Sequence, residues 1–469
     1  MVKNLLLILL SMPIVAVGAP VLQLNGSEPN IDLSGYLDIF IDTSKILTFD
    51  QIQSSEISNQ FKTNTQNVPN FGFTKNAIWV RFNVRNNTDK ALFQLLQISH
   101  PILDSIIIYQ QDIQGHVEII TSGDLLPFSA RDRDYRHFIF EIKLEKGVNK
   151  TFYLRIESKV NLQIPLRLLT EKSFSDQVDK QQFVYGIFYG LVLGLILYNL
   201  MLYFTISDKS YLYYVLYNTC TLAIFLYIHG LSFQLFWPDN TWLANHNLPF
   251  FMGNMSFWSL QFTRAFLNID KLKPGQIICY QLLSVSSVLV VFSSFMPDYG
   301  LATKMAIPLM GFGTVFLVYS AVTSLLDGFR PARFYLIAFT PLYTSTIIFL
   351  LNRLGYFPTN FLTENGSMVG VALEVILLSL ALSDRLNQSR IQRKMALKSQ
   401  LVAAQQTARL SETFKKFVPH AFLRYLNKQS INDVELGDCV EKICRYYFLM
   451  YVLLLLFQKP RVQVKFFIS

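Results

Sequence analysis

The stretch YGIFYGLVLGLILYNLMLYFTISDKSYLYYVLY, from Tyr185 to Tyr217, contains two long apolar runs separated by a short polar turn. It opens a series of seven apolar segments, at about 183–205, 211–234, 247–267, 276–296, 303–325, 332–352 and 367–383. Each segment reaches or approaches the roughly 20 residues that a helix needs to cross a bilayer. We therefore expect a seven-helix transmembrane bundle over residues 183–385.

The composition also favours a membrane protein. Hydrophobic residues make up 51% of the 469 positions and charged residues only 16%, which is too apolar for soluble domains throughout. The formal net charge of +9 arises from residue 384 onward, where 15 Lys or Arg residues accompany 6 Asp or Glu residues. This basic segment predicts membrane lipids as partners, and nucleic acid is not needed to explain it.

The connections between the apolar segments predict the orientation. The first, third and fifth connections carry six Lys or Arg residues, whereas the opposite connections carry Lys304 and Arg353. Positive residues concentrate on the cytoplasmic side of membrane proteins. The N-terminal part should therefore lie outside, and the chain after residue 385 should lie in the cytoplasm.

Residues 1–19, MVKNLLLILLSMPIVAVGA, have the pattern of a signal peptide: one lysine, an apolar run and small residues at the end. The apolar run is too short to cross a bilayer. An uncleaved anchor is the alternative, because Pro20 is a poor residue to follow a cleavage site. Either interpretation predicts that the following segment is exported.

Residues 30–175 alternate with period two between turn residues, which predicts an all-β sandwich. All four cysteines lie outside residues 20–180, so this domain must rely on a packed core and not on disulfides. In AIWVRFNVRNNT, Ile78 and Val80 share one face, and Trp79 and Arg81 share the other. Trp79 and Arg81 are candidate ligand-binding residues, with packing as the alternative for Trp79.

Residues 386–428 are polar and have a strong tendency to form a helix. Leu397, Leu401, Ala404 and Ala408 recur at spacings of four, three and four, which predicts a short coiled coil. A solvated helix stabilised by its own charges is the alternative. A helix leaving the last span could carry movement into the cytoplasm.

Three stretches resemble the bacterial seven-transmembrane receptors with diverse intracellular signalling modules. IWVRFNVRNNT, with HPILDSIIIY, GDLLPFSARDRDYRHFIFEI and FYLRIESKVNLQIPLRL, is similar to their type 2 extracytoplasmic sensor, a jelly-roll that resembles carbohydrate-binding domains. The opening stretch resembles the start of their membrane domain, and GSMVGVALEVILLSLALSDRL resembles its last span. The resemblance covers residues 30–385 and implies a receptor in the bacterial inner membrane with a small-molecule or carbohydrate ligand outside.

Glu374 is the candidate for signal relay, because it lies in the middle of an otherwise apolar span. An ionisable group at that depth is costly and usually faces a partner or a wet cavity. Interhelical packing is the alternative.

Residues 414–442 resemble the segment that precedes a class III adenylate or guanylate cyclase domain, with the domain itself starting at 429–442. In that family the next strand reads approximately MSVLFSDIRSFTTLSE, and its aspartate helps to hold two metal ions. Here ICRYYFLMYVLLLLFQK occupies that position, so no catalytic residue, metal ligand or cofactor is expected in this chain. The missing domain would use Mg or Mn with ATP or GTP, and the resemblance implies a homodimer, which the cytoplasmic helix would join.

The apolar tail, residues 443–469, has an explanation in codon degeneracy. Reading the codons from the third base of the Ile443 codon permits MSVLFSDVRSFTTFSE, in which the AT of the Met450 codon completes the aspartate. A frameshift therefore explains the tail better than an anchor does, since its apolar run of twelve residues is too short to span as a helix.

The sequence favours a receptor that relays an external ligand through seven helices to a cyclase output truncated in this chain, which would leave the chain without enzyme activity. The alternative is a non-enzymatic receptor that signals through a separate cytoplasmic partner. A carbohydrate-binding or transport protein of the inner membrane is less favoured, because the internal repeats common in transporters are not evident. We also find no phosphate-binding loop and no zinc-ligand spacing.

Overall fold

The computed structural model describes residues 18–111, 117–267, 274–353, 361–417, 420–429 and 433. Residues 1–17 of the predicted signal peptide lie outside the described residues. So do nearly all of the predicted cyclase start and the whole of the tail, residues 443–469.

The N-terminal part is built from short strands, as the period-two alternation predicts. The strands are β1 Leu22–Leu24, β2 Asn30–Asp32, β3 Asp38–Asp42, β4 Lys62–Thr63, β5 Asn70–Gly72, β6 Ala77–Asn86, β7 Leu92–Ile98, β8 Ser105–Gln111, β9 Val117–Ser122, β10 Phe138–Leu144, β11 Asn149–Glu157, β12 Leu162–Gln163 and β13 Leu166–Leu169. A seven-stranded sheet has the order β4-β3-β6-β11-β8-β9, with β1 parallel to β6, and a four-stranded sheet has the order β10-β7-β13-β2. Strands β12 and β5 form a separate pair.

The core of this domain lies between the two larger sheets. Phe82 of β6 stacks on Phe152 of β11, with ring centroids 5.1 Å apart, and both pack with Phe138 and Phe140 of β10. The β-sheet-rich domain predicted from the alternation is confirmed, whereas a jelly-roll connectivity stays a prediction. Two short helices, α1 Phe49–Gln53 and α2 Ser55–Ser58, lie between β3 and β4.

The rest of the described chain is helical, and every predicted apolar segment falls largely in a helix. Polar residues cap several of these helices: Thr170 accepts from the Ser173 amide, and Asp208 accepts from the Ser210 amide. The helices are α3 Glu171–Ile206, α4 Lys209–Ile228, α5 Leu231–Leu235, α6 Thr241–Leu267, α7 Pro274–Ser293, α8 Tyr299–Leu326, α9 Ala332–Arg353, α10 Phe361–Phe417 and α11 His420–Tyr425.

Among the described residues, five helices are long and apolar enough to cross a membrane. They are α3, α4, α7, α8 and the part of α10 from residue 365 to residue 410. Helix α6 falls short of that hydropathy, since it contains polar residues such as Asn245, Asn247 and Asn254. Several apolar spans are therefore confirmed, and the number seven stays a prediction.

The described residues from Leu386 onward belong to a unit separate from the preceding part of the chain. The part of α10 in this unit exposes apolar side chains, including Leu397 and Leu401 of the predicted seam. The helix predicted for this polar segment is present in its described residues, and most of their side chains are exposed.

Candidate functional site

Trp79 lies on the outer face of the seven-stranded sheet, as the alternation predicts, but its side chain is fully buried. It packs in an aromatic cluster with Phe49 of α1, Ile52 and Phe61, away from the sandwich core. The indole Nε1 has no hydrogen-bond partner among the described residues. A direct role for Trp79 in ligand binding stays a prediction, and the structure places it beneath a layer of other side chains.

Arg81 is held by interactions within the protein. Its Nη2 atom lies 3.0 Å from Oδ2 of Asp38, and its Nη1 atom donates to the Ser58 hydroxyl at 2.8 Å. The guanidinium also lies 4.5 Å from the centre of the Phe61 ring. These contacts fix Arg81 as a support of the outer face, and its role in ligand binding stays a prediction.

A cavity of about 460 Å³, here called the outer cavity, opens above this cluster. Its lining includes Phe49 and Tyr109, whose rings stack 4.5 Å apart, and Tyr109 stacks in turn on Trp79 at 5.5 Å. Lys45 and Arg155 stand at its rim. Aromatic surface beside charged donors is the combination that binds sugars and other small polar molecules.

Tyr109 is a site residue that sequence reasoning missed. It follows Ser105 and Ile107 at period two along β8, so it lies on the outer face of the sheet. The alternation could therefore have identified it. Phe49 could not be found in this way, because it comes from a short helix whose packing over the sheet has no periodic signal.

The sandwich meets the membrane helices through a buried carboxylate. The Tyr299 hydroxyl, at the start of α8, donates to Oδ2 of Asp104 at 2.6 Å. Oδ1 of Asp104 accepts from the Ser158 hydroxyl at 3.3 Å and from the Lys159 amide at 3.2 Å. One carboxyl group thus ties two loops of the sandwich to the first turn of a membrane helix.

A second buried carboxylate, Asp124, lies near the first. Its backbone carbonyl accepts from the Asn245 side chain of α6 at 3.1 Å, and its Oδ1 atom has no partner among the described residues. Burial raises the pKa of Asp124 well above its usual value, the charge of Asp104 raises it further, and Arg131 opposes the shift. Burial also raises the pKa of Asp104, although hydrogen bonds from Tyr299 and Lys159 oppose that change.

These shifts predict a junction that is more stable in mild acid. Because both folded pKa values are raised, the folded protein binds more protons than the unfolded chain above the unfolded pKa of about 4. The stability that these two carboxyl groups contribute should therefore fall as the pH rises from about 5 to about 8, whereas His137, whose pKa burial lowers, adds stability as the pH rises to about 6.5. Thermal unfolding of the full chain at both pH values isolates the decline as the difference between the wild type and Asp124→Asn, which should lose less stability over this range.

A surface carboxylate provides the control for this pH dependence. Asp89→Asn, whose side chain is 93% exposed, should leave the decline unchanged. An equal decline in stability in the wild type and in the Asp124→Asn variant would show that Asp124 does not cause this pH dependence.

Close backbone and ring contacts complete the junction. A Cβ atom on Gly230, between α4 and α5, would lie 2.7 Å from Pro101 Cβ, and one on Gly300 would lie 2.7 Å from the Lys159 carbonyl oxygen. Phe128 of the sandwich meets Phe233 of α5 edge to face, with centroids 5.4 Å apart. The junction is therefore a packed interface and not a tether.

Glu374 is fully buried in the helical bundle. Neither carboxyl oxygen meets the geometry of a hydrogen bond to any described residue. Tyr217 of α4 is the group most nearly in place to donate to it, and Tyr214, Tyr335 and Tyr343 lie close enough to interact with its charge. The predicted relay residue thus lies where α4, α9 and α10 meet, and its role stays a prediction.

The comparisons with known proteins agree with this division of the chain. Residues 34–170 match the family model described as 7TMR-DISM extracellular 2, and residues 181–385 match the model described as 7TM diverse intracellular signalling. No curated protein matches the chain. The two family matches together support the architecture of a seven-transmembrane receptor, with an extracellular domain preceding a membrane domain for diverse intracellular signalling.

Proposed function

We propose that the chain is a transmembrane sensory receptor that binds a small molecule or carbohydrate in the outer cavity. Three features support a ligand there: the stacked rings of Phe49 and Tyr109, the charged rim and the volume of about 460 Å³. Arg155 is held at the rim by Glu157, at 2.6 Å, and by the Lys45 carbonyl, at 2.8 Å. A preorganised rim of this kind lowers the entropic cost of binding.

The single observation that carries the signalling part of the proposal is the hydrogen bond between Tyr299 and Asp104. Asp104 directly precedes β8, which also carries Tyr109 of the outer cavity. A shift of β8 on ligand binding would therefore act on Asp104 and, through the 2.6 Å contact, on the first turn of α8. We place the sandwich outside the bacterial inner membrane and the chain after Arg385 in the cytoplasm. In this orientation the connections that carry most of the Lys and Arg residues are cytoplasmic.

The output that we propose is a nucleotide cyclase, because residues 414–442 resemble the approach to such a domain. A separate cytoplasmic partner is the second candidate. The observation that favours it is the exposed apolar surface of residues 386–410, with Leu397 58% and Leu401 56% exposed. Apolar surface of this kind on a polar helix is typical of a coiled-coil or docking face, and pairing with a second copy would also cover it.

Titration of the full chain in nanodiscs against a panel of monosaccharides and disaccharides tests the ligand proposal. Tyr109→Ala removes a ring from the cavity lining together with the support on which Phe49 stacks, and it should weaken binding at least about tenfold, as expected for a lost aromatic contact. Ile119→Trp should also block binding, because Ile119 lines the cavity and is exposed enough to accept a larger ring.

The matched control is an exposed aromatic residue on the other sheet. Phe93 of β7 is 71% exposed, and Phe93→Ala should leave the affinity unchanged. Binding that is lost in the Phe93 variant and kept in both cavity variants would place the ligand on the opposite face and overturn the proposal.

A further inference from the structure

A second and larger cavity, here called the junction cavity, lies between the sandwich and the membrane helices. It has a volume of about 820 Å³ and opens between the loop at 131–136, helix α3 and helix α5. It does not include any residue of the outer cavity. Its lining combines charged side chains of the loop with Tyr185 and Tyr189 of α3.

Arg136 lines this cavity and is a buried cation without a counterion. The residue is only 3% exposed, and it forms no ion pair within the described part of the chain. Its Nη2 atom donates to Oε1 of Gln181, its guanidinium lies 4.9 Å from the centre of the Tyr185 ring, and its Nε atom has no partner there. Buried charges are normally paired, so we expect an anionic group of a ligand at Arg136. A guanidinium binds a phosphate well, because its N–H groups match the geometry of the phosphate oxygens.

The same cavity has an acidic side. Asp132 and Asp134 belong to the loop, and Asp132 lies near the like charges of Glu141 and Glu118. Arg133 does not neutralise Asp132, because it is already paired with Glu141 and Glu171, at 2.7 Å each. A ligand with a positive group close to its phosphate would satisfy both sides of the cavity.

The surroundings of the cavity suit a lipid. Gly186 lines the cavity on the exposed side of α3, and its neighbours Phe183 and Ile187 are 71% and 57% exposed. Leu235, on the α5 side, is 63% exposed. Tyrosines beside such apolar surface are typical of the membrane–water interface.

We propose that the junction cavity binds the headgroup of a zwitterionic phospholipid, with the phosphate at Arg136, the ammonium group toward Asp132 and the acyl chains along Phe183 and Ile187. A free phosphate ion could also bind Arg136, but only a lipid would in addition cover the apolar side chains of Phe183 and Ile187. A lipid bound here would contact the sandwich, α3 and α5 at once. This lipid site is distinct from the proposed sensory site, because the lipid would be a second ligand that binds outside the outer cavity.

The test counts lipids bound to the full chain by native mass spectrometry after delipidation in dodecyl maltoside and addition of short-chain phosphatidylethanolamine. The wild type should retain one lipid per chain. Arg136→Gln and Gly186→Leu should each weaken retention at least about tenfold, as expected for a lost charged hydrogen bond or a filled site. Gly186→Leu tests the site even if the Arg136 variant fails to fold. A Cβ atom added at Gly186 meets nothing within 4 Å, so this variant should keep the native fold.

The matched control is Gly190→Leu, one turn further along α3. A Cβ on Gly190 also meets nothing within 4 Å, but Gly190 does not line the cavity, so retention should be unchanged. Equal retention in all four proteins would overturn the proposal. So would competition by inorganic phosphate at the same concentration, or equally tight binding of phosphatidylglycerol, which has no ammonium group.

Discussion

Replacing Gly123 by alanine is expected to lower the free energy of unfolding of the sandwich by about 4 kcal/mol, because the backbone conformation and the available space both exclude a side chain. Gly123 has a φ of +146°. A Cβ atom there would lie 2.2 Å from the Asp104 carbonyl oxygen and 2.8 Å from the carbonyl carbon. Both are backbone atoms, so no side-chain rotation can relieve the overlap, and the two segments must separate.

Hydrogen exchange measured by mass spectrometry on the full chain would check this prediction, on peptides that cover β8 and β11. Gly147→Ala is the control. Gly147 also has a positive φ, of +69°, but a Cβ there meets nothing within 4 Å, so only strain of about 1 kcal/mol is expected. Equal increases in exchange for the two variants would show that the close approach to Asp104 is not what requires glycine at position 123.

The Gly123 contact also connects stability with signalling. Gly123 precedes Asp124 and lies against Asp104, so it sets the distance between the two buried carboxylates of the junction. Forcing these segments apart should also loosen the Tyr299 contact. Exchange in the first turn of α8 is therefore expected to rise together with exchange in β8.

The sequence predicts the elements of this protein better than their meeting points. Apolar length alone identifies α3 and α8, because a span needs about 20 apolar residues whatever lies beside it. Alternation likewise places Trp79 on the outer face of β6. It does not show that Trp79 is buried there, because the covering side chains of Phe49 and Phe61 come from a segment without periodicity.

The junction could not be predicted, since its contacts join residues far apart in the chain. Asp104 and Tyr299 are separated by 195 positions, and nothing in the stretch HPILDSIIIY around Asp104 indicates that its carboxylate contacts a helix so far along the chain. Arg136 looks like one charge among several in RDRDYRHF, and only the fold shows that it is buried without a counterion. Local patterns determine where a strand or helix forms, whereas such contacts depend on how the elements pack.

Glu374 presents a conflict between stability and function. Its carboxyl group is fully buried in the bundle, and neither oxygen has a hydrogen-bond partner among the described residues. A polar group without a partner in that position is expected to lower the stability of the membrane domain, which favours a role in signal relay over interhelical packing. Buried groups of this kind persist where two arrangements of the surrounding helices must have similar energies.

Replacing Glu374 by methionine is therefore expected to raise the stability of the bundle by about 2 kcal/mol and to abolish the response of the helices to a bound sugar. Glu374→Gln, which keeps the shape and removes the ability to ionise, should also lose the response. The stability is measured as the thermal midpoint of the full chain in nanodiscs. The response is measured as the sugar-induced change in hydrogen exchange of α9 and α10, with the sugar found by titration.

The control is a buried polar residue whose side-chain nitrogen makes both of its hydrogen bonds, although its Oδ1 atom has no partner among the described residues. The side-chain nitrogen of Asn199 donates to the Leu195 carbonyl at 2.8 Å and to the Ser379 hydroxyl at 2.9 Å. Asn199→Leu should therefore lower the thermal midpoint, in the opposite sense to Glu374→Met, because it leaves the Ser379 hydroxyl with one bond fewer. If Glu374→Met also lowers the midpoint, the carboxyl group stabilises the bundle and is a packing residue. If the midpoint rises and the response to sugar persists, Glu374 is neither a structural support nor the relay, and the contact between Tyr299 and Asp104 must pass its signal through other side chains.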